Sequence, residues 1–327
     1  MLSQKIFAQF PNEPSHPQRP LHELSNQLYH DQQKRWPMLA DGVAALQNVQ
    51  FKDVACGTFG ARLQFNPKRI VSTGAKVDAA AIKERKCFLC VGNLPPEQQG
   101  VLFKEKFLIL CNPMPIFREH FTISHIDHIP QSIEEQILTF LSLAKELSPV
   151  YSVFYNGPKC GASAPDHMHF QASPAGLIPA EREAEEHLRY VKNMSDVRIS
   201  TLDGYGRSVI VLDGTDEQHM ELAFLRLTSA MRSVMQAADE PMMNVIGSYK
   251  NGSWRLIVFV RSRHRPSVYF KEGDEKVLIS PASVDIGGLI VTPVEKDFRT
   301  VDGAMVSGIY REVSVSQDVI NSIIGKL

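Results

Sequence analysis

No run in this 327-residue sequence approaches the ~18 consecutive apolar residues of a membrane span, and its opening, MLSQKIFAQF, lacks the charged-then-apolar layout of a secretory leader. A cytoplasmic protein is expected. Neither sign of charge is in excess, since 35 Lys and Arg stand against 36 Asp and Glu for a formal net charge of −1. Without a global basic field, nucleic acid and anionic membranes are disfavoured as partners, and any anionic ligand must be held by local charges. Cysteine is scarce and odd in number: Cys56, Cys87, Cys90, Cys111 and Cys160 argue against a disulfide framework. What the chain does have is 43% hydrophobic residues, enough to fill one large domain or two medium ones.

The chemistry concentrates at Asn156 to Gln171, and its centre is His167-x-His169-x-Gln171. In an extended segment, side chains two apart share a face, so two imidazoles and an amide would point into one site. A neutral imidazole attacks phosphorus well, and a nucleotidyl-histidine is labile enough to be passed to a second acceptor. The Gly-rich approach from Asn156 to Ser163 could wrap a phosphate with backbone N–H groups and small polar side chains. The same alternation is also what an exposed polar strand face looks like.

Upstream, Cys87-Phe88-Leu89-Cys90 offers two thiolates on a tight knuckle, and Gly92-Asn93-Leu94-Pro95 continues it as loop. A redox pair is the rival reading, but no strand-then-helix pattern brackets this CxxC. With His128 and His167 the cysteines make a Cys2His2 set suited to structural zinc; a metal-free site is the alternative. Were His167 a ligand, the backbone beside His169 would be pinned and His169 left free to react.

Around this centre the pattern predicts α+β structure. A strand is expected over Ala61 to Phe65, another over Phe103 to Leu110, and one returning at His120 to Ser124. Ser132 with Glu135 reads as a capping box for a helix whose apolar positions are Ile133, Ile137, Phe140, Leu141, Ala144 and Leu147. A strand at Val150 to Tyr155 leads into Asn156, and Ala180 to Val191 reads as a charged helix with Glu181 on a solvated face. Helix (Asp216 to Met235), strand (Met243 to Tyr249) and Asn251-Gly252 then repeat that order without a His-x-His, which suggests a duplicated unit whose second copy lost its chemistry. Arg261, Arg263, His264 and Arg265 form the most basic cluster, either a phosphate site or a solvated strand end. From Tyr269 short strands and turns are expected, with a last helix near Gln317 to Lys326. The division expected is an N-terminal extension (1–60), a catalytic half (61–195) and a degenerate second half (196–327).

Phe65-Asn66-Pro67, the Cys87 to Asn93 run, Asp127-His128 and His167-x-His169-x-Gln171 together resemble the transferase branch of the histidine-triad superfamily. That branch includes galactose-1-phosphate uridylyltransferase, diadenosine tetraphosphate phosphorylase and GDP-L-galactose phosphorylase. The resemblance covers roughly residues 60 to 190 and matches the second half in outline. It implies two tandem histidine-triad-like halves built on antiparallel sheet, His169 as nucleophile with Gln171 beside it, and zinc on Cys87, Cys90, His128 and His167. It further implies that Asn156 and Ser163 contact phosphates, Asn93 the nucleoside, and Arg69 and Arg85 the substrate. Two departures are visible: Met168 stands where uridylyltransferases carry proline, and their late second His-x-His is missing. The expectation is therefore a nucleotidyltransferase or phosphorylase, a monomer or homodimer, acting on a dinucleoside polyphosphate or nucleotide sugar with phosphate or a sugar phosphate as acceptor. A hexose-1-phosphate uridylyltransferase and a non-catalytic, zinc-stabilised nucleotide-binding module are the alternatives.

Overall fold

The computed structural model describes residues 2–12, 18–74 and 79–327. The chain begins β1 (Ile6–Phe10), α1 (Leu21–Arg35), α2 (Pro37–Ala45), β2 (Gln50–Ala55), β3 (Gly60–Phe65), α3 (Ile70–Thr73) and α4 (Ala79–Glu84). Next come β4 (Gly100–Phe103), β5 (Phe107–Cys111), β6 (Phe121–His125), α5 (Ile137–Glu146), β7 (Tyr151–Asn156), β8 (His169–Pro174) and α6 (Pro179–Glu186). The same order then returns as β9 (Leu188–Met194), β10 (Val197–Leu202), β11 (Val209–Gly214), α7 (Glu217–Met235), β12 (Met243–Lys250) and β13 (Ser253–Val260). The C-terminal stretch adds α8 (Ser283–Ile286), β14 (Leu289–Thr292), α9 (Glu295–Thr300), α10 (Gly303–Val313) and α11 (Gln317–Gly325).

Eleven strands form one sheet in the order β1-β4-β5-β6-β8-β7-β12-β13-β11-β10-β9. Read outward from the centre, β7-β8-β6-β5-β4 on one side mirrors β12-β13-β11-β10-β9 on the other. Each of these ten strands has a counterpart at the same place in chain order, with β1 added at the edge beyond β4, so the fold is α+β with two tandem halves. The halves join where β7 pairs antiparallel with β12, Asn156 opposite Asn244. The copies differ at one connection. Residues 157–168 link β7 to β8, whereas Asn251 and Gly252, both left-handed (φ +53° and +82°), link β12 to β13. No histidine occurs in β12, in that turn or in β13.

Each face of the large sheet carries its own core. On one, α1, α2, α5, α7 and α11 bury Leu28, Leu39, Phe140, Phe224 and Ile323. On the other, a three-stranded sheet (β14-β3-β2) and α6, α8 and α10 bury Leu63, Ala184, Ile286 and Tyr310. The first sixty residues contribute to both layers, because β1 pairs parallel with β4 while β2 pairs with β3.

Several expectations are corrected. The single strand over Phe103 to Leu110 is a hairpin: Lys104 and Glu105 are left-handed (φ +47° and +57°) and the Lys106 N–H donates to Phe103 O at 3.1 Å. Both of its strands are buried throughout, so no alternation marked the turn. The charged helix stops at Glu186, and Leu188–Met194 is an edge strand whose solvated face keeps it polar. Glu181 is not a solvated side chain, since it accepts from the Ser152 hydroxyl and from the N–H groups of Gly176 (3.0 Å) and Ile178 (3.2 Å). Ser132 and Glu135 make no capping box. α5 begins only at Ile137, without a side-chain cap; ahead of it the Ile133 N–H donates to Glu240 Oε2 at 2.7 Å, and all six apolar positions expected of the helix are buried. Beyond Tyr269, helices replace most of the expected strands, with Asp302 capping α10 through the Met305 N–H at 2.8 Å.

Arg261, expected in an exposed basic cluster, is fully buried and pins the C-terminal layer to the sheet. Its guanidinium donates to Val313 O (3.1 Å), Pro281 O (2.9 Å), Arg263 O (3.1 Å), His264 O (3.0 Å) and Asn244 Oδ1. Arg261→Ala would strand these acceptors without solvent, at roughly 1–3 kcal/mol for each one left unsatisfied. A fall in unfolding free energy of about 3 kcal/mol or more is expected from denaturant titration, far above the ~0.5 kcal/mol of an ordinary surface change.

Candidate active site and metal centre

The cysteine knuckle is closed by Asn93, whose side-chain amide donates to Cys87 O at 2.8 Å. It meets two histidines delivered from elsewhere: His128 just after β6, and His167 at the end of the connection between β7 and β8. Cys87 Sγ lies 3.3 Å from His167 Nδ1, and Cys90 Sγ lies 3.2 Å from His128 Nδ1 and 3.6 Å from His167 Nδ1. All four ligand atoms fall within 4.8 Å of one another. A tetrahedral ion with bonds of ~2.3 Å to sulfur and ~2.05 Å to nitrogen has S···N edges of about 3.5 Å, so these residues fit a metal. His167 Nε2 lies 2.8 Å from His125 O, which as an acceptor takes its hydrogen and turns Nδ1 toward the thiols. Burial pushes the Cys87 thiol up, but His167 and the backbone N–H groups of Leu89 and Cys90 outweigh it and bring it down to about 6. Burial and the neighbouring Cys87 push Cys90 up to about 11. A cation is therefore what would hold both as thiolates at neutral pH.

Arg85 and Asn93, expected on the substrate, belong structurally to this knuckle. Arg85 pairs with Asp166 at 2.6 Å and Asp166 lies 3.7 Å from His128 Nε2, while the Asn93 amide is engaged by Cys87 O. Neither lines the cavity described next.

That cavity, about 350 Å³, opens between the two halves. Met114, Asn156, Ser163, His169 and Gln171 line it from the first half, Arg69 from the segment before it, and His264, Arg265 and Asp285 from the second. Trp36, Met38 and Phe88 supply apolar wall. His169 is 3% exposed yet reaches this space, and its placement is strict. The Gln131 side chain brackets its backbone, accepting from the His169 N–H (2.8 Å) and donating to His169 O (2.9 Å) and Asn156 O (3.0 Å). His169 Nδ1 lies 2.8 Å from His167 O. A carbonyl can only accept, so Nδ1 bears the hydrogen and Nε2 keeps its lone pair. Burial lowers the imidazole to about 4, so it is neutral at physiological pH. The two histidines thus do separate jobs: His167 turns to the cysteines and His169 to the cavity.

Gln171 is oriented in the same way. His120 Nδ1 accepts the Ile116 N–H at 3.2 Å, so its Nε2–H donates to Gln171 Oε1 at 2.8 Å and the Gln171 NH2 is left for the cavity. Asn156 Oδ1 is occupied by the Ser283 N–H (2.8 Å) and Asn244 Nδ2 (3.0 Å), which leaves its NH2 as the group it can offer. Arg69 donates to Met114 O at 2.6 Å, and Arg265 donates to Ser280 Oγ at 2.9 Å while stacking over Tyr269. Arg263 is not brought to the cavity but pairs with Glu312 at 2.8 Å on the surface. Asp285 accepts from Val291 and Ala282 N–H groups, and burial pushes its carboxyl up to about 6. Gln131, His120, Asp166 and Asp285 were not singled out from sequence: the first three act through partners far along the chain, and Asp285 reaches the cavity only through the packing of its segment against the first half.

Purified without chelator, the protein should carry about one equivalent of a thiolate-binding divalent metal by plasma mass spectrometry, and Cys87→Ser should lose it with a lower Tm. A second outcome concerns acid. Burial holds His120 near 3, with Arg69 adding to the effect, and holds His264 near 4, with Arg265 and Arg261 adding. Unfolded, both would take up a proton near pH 6.5, so stability is full above that and falls as pH drops toward 4, by up to about 1.4 kcal/mol per pH unit for each group. Denaturant midpoints at pH 7 and pH 5 check this; equal midpoints would refute it.

No curated protein matches the sequence. Residues 28–174 match a domain of unknown function, DUF4922, and residues 179–324 match the GDPGP1-like, C-terminal domain family. Among solved structures, yeast Ap4A phosphorylase Apa2 in complex with Ap4A aligns with a TM-score of 0.60 at 16% identity, covering 89% of this chain and 97% of that one. The complex of the same enzyme with AMP aligns with a TM-score of 0.58 at 17% identity over 89% and 96%. At such identity the likeness is one of fold, and it spans both halves. Residues 179–324 thus match the GDPGP1-like, C-terminal domain family, and the whole chain, with its mirrored halves, shares the fold of yeast Ap4A phosphorylase Apa2.

Proposed function

We propose that this protein is a nucleotidyltransferase of the phosphorylase type, working through a covalent nucleotidyl group on His169. The observation that carries the reading is the neutral His169 ring, with Nδ1–H held by His167 O and Nε2 free at a cavity shared by both halves. His169 Nε2 attacks the α-phosphorus of a bound nucleotide; the new N–P bond forms as the bond to the bridging oxygen breaks, and the distal phosphate group leaves with that oxygen. An oxygen of inorganic phosphate or a sugar phosphate then attacks the same phosphorus, the N–P bond breaks and the imidazole is restored. The amide NH2 groups of Gln171 and Asn156, with the backbone near Ser163, steady the non-bridging oxygens, and Arg69 and Arg265 neutralise the distal phosphate. Zinc on Cys87, Cys90, His128 and His167 would hold the knuckle and the approach to His169 in place, a structural part with no step in the reaction. A nucleotide substrate is supported by the shared fold with yeast Ap4A phosphorylase, which is known bound to AMP and to Ap4A. Dinucleoside polyphosphates and nucleotide sugars are the candidate classes.

Incubation with α-labelled nucleotides should trap an acid-labile adduct on wild-type protein and none on His169→Ala. Gln171→Ala should slow adduct formation by roughly 10²-fold, the usual effect of losing one donor to a developing oxyanion. If neither a dinucleoside polyphosphate nor a nucleotide sugar labels the wild type, the reading is wrong.

A further inference from the structure

Among the described residues, the largest side chain that is fully buried is a cation, Arg261. A guanidinium carries five N–H donors, and here each one has an acceptor. Nε donates to Val313 O, Nη1 to Asn244 Oδ1 and Pro281 O, and Nη2 to Arg263 O and His264 O. All five acceptors are neutral oxygens, so no donor is left for a carboxylate. The hydrogen bonding is complete while the charge has no ion-pair partner, and a charge in that condition is costly in a low-dielectric interior.

Two acidic groups bear on it from nearby. Burial pulls the guanidinium below its ordinary value, while Cys160 and Asp285 push it up. Neither supplies a dedicated counter-charge. Burial pushes the Cys160 thiol up to about 12, so it is uncharged at neutral pH. Asp285, pushed up by burial to about 6, is engaged by the N–H groups of Val291, Ala282 and its own residue, and Arg69 draws on it as well.

The route from Arg261 to the cavity is a row of buried amides. Asn244 accepts from Arg261 at Oδ1, and its Nδ2 donates to Asn156 Oδ1 at 3.0 Å and to Cys160 O at 2.7 Å. Asn156 Oδ1 also takes the Ser283 N–H, and the Asn156 NH2 is the end of the row that can meet a ligand in the cavity. Each dipole polarises the next, and with Asn244 and Asn156 both buried there is no bulk water between them to screen the effect. The same Asn244 amide fixes the loop after β7, whose Gly157 lies so close to β12 that a Cβ there would come within 2.8 Å of Met243 O.

We propose that Arg261 is a positioning residue for a phosphate it does not touch: its charge, relayed through Asn244 to Asn156, prepares the cavity for the phosphate beside His169, and that phosphate completes the charge balance. The inference rests on the nucleotidyl-His169 reading for where the phosphate lies.

The test compares AMP with adenosine and GMP with guanosine by titration calorimetry, since each pair differs only in the phosphate. Wild type should bind at least one monophosphate about tenfold or more tightly than its nucleoside, and Arg261→Gln should cut that ratio roughly tenfold while leaving nucleoside affinity within about twofold. Arg261→Lys, which can meet at most about three of the five acceptors but keeps the charge among carbonyl oxygens, should hold the ratio within about threefold of wild type. An arginine with a merely structural role would make the two variants alike. Should neither variant fold, nuclear magnetic resonance of wild type decides: the Arg261 Nε–H and Asn244 NH2 signals should shift with a monophosphate and stay in place with its nucleoside. A wild type that favours neither monophosphate, a ratio unchanged in Arg261→Gln, equal losses in the Gln and Lys variants, or signals that the monophosphate leaves unmoved would each overturn the role of Arg261, even with adducts still forming on His169. Absence of adducts alone falls on the His169 reading, and absence of adducts together with any of these results overturns both.

Discussion

One hydrogen bond, from His169 Nδ1 to the carbonyl of His167, joins the cysteine and histidine cluster to the imidazole that faces the cavity. His167 is gripped on both sides, by thiols at Nδ1 and by His125 O at Nε2, so its carbonyl has little freedom. Because that carbonyl selects the tautomer of His169, the lone pair can face only one way. The Gln131 amide does for the backbone what the carbonyl does for the ring, bonding both the N–H and the C=O of His169 as a neighbouring strand would. A rigidly placed, neutral imidazole is the arrangement on which the proposed phosphoryl transfer rests, since positioning and charge stabilisation supply most of the rate in that chemistry.

Duplication explains why one cavity suffices. The two halves repeat each other strand for strand, but the twelve-residue connection proposed to cradle phosphate in the first half is a two-residue turn in the second. No room remains there for a cradle. The second half instead closes the first: α8, Arg265 and His264 complete the cavity, and buried Arg261 holds the segment that carries them. The division of labour is covalent in the chain and continuous in the sheet, through the pairing of Asn156 with Asn244.

Much of this was legible before any coordinates. The Cys87, Cys90, His128 and His167 set converges in space, and His169, Gln171, Asn156 and Ser163 share one cavity, because thiol and imidazole spacings and strand alternation are local codes. Helix α5 was read from its apolar period, and all six positions are buried. The failures have physical causes. The Phe103 to Leu110 stretch is apolar through both strands of a hairpin, so period two vanished; β9 is an edge strand, so its charge mimicked a helix. The Ile133 N–H ahead of α5 is satisfied by Glu240, over a hundred residues away, which no window around Ser132 contains.

The sequence by itself determined the kinds of groups available, the alternation that separates His167 from His169, and the tandem order of strands and helices, since these follow from residue chemistry and short-range periodicity. Only the tertiary structure decided which arginines meet the cavity. Arg265 turns in, Arg263 turns out to Glu312 and Arg261 disappears into the core, although the three lie within five residues of one another. Charge density along a chain is one-dimensional, whereas burial and partner choice depend on what the distant segments around Pro281 and Val313 bring alongside, and that is settled only when the layers pack.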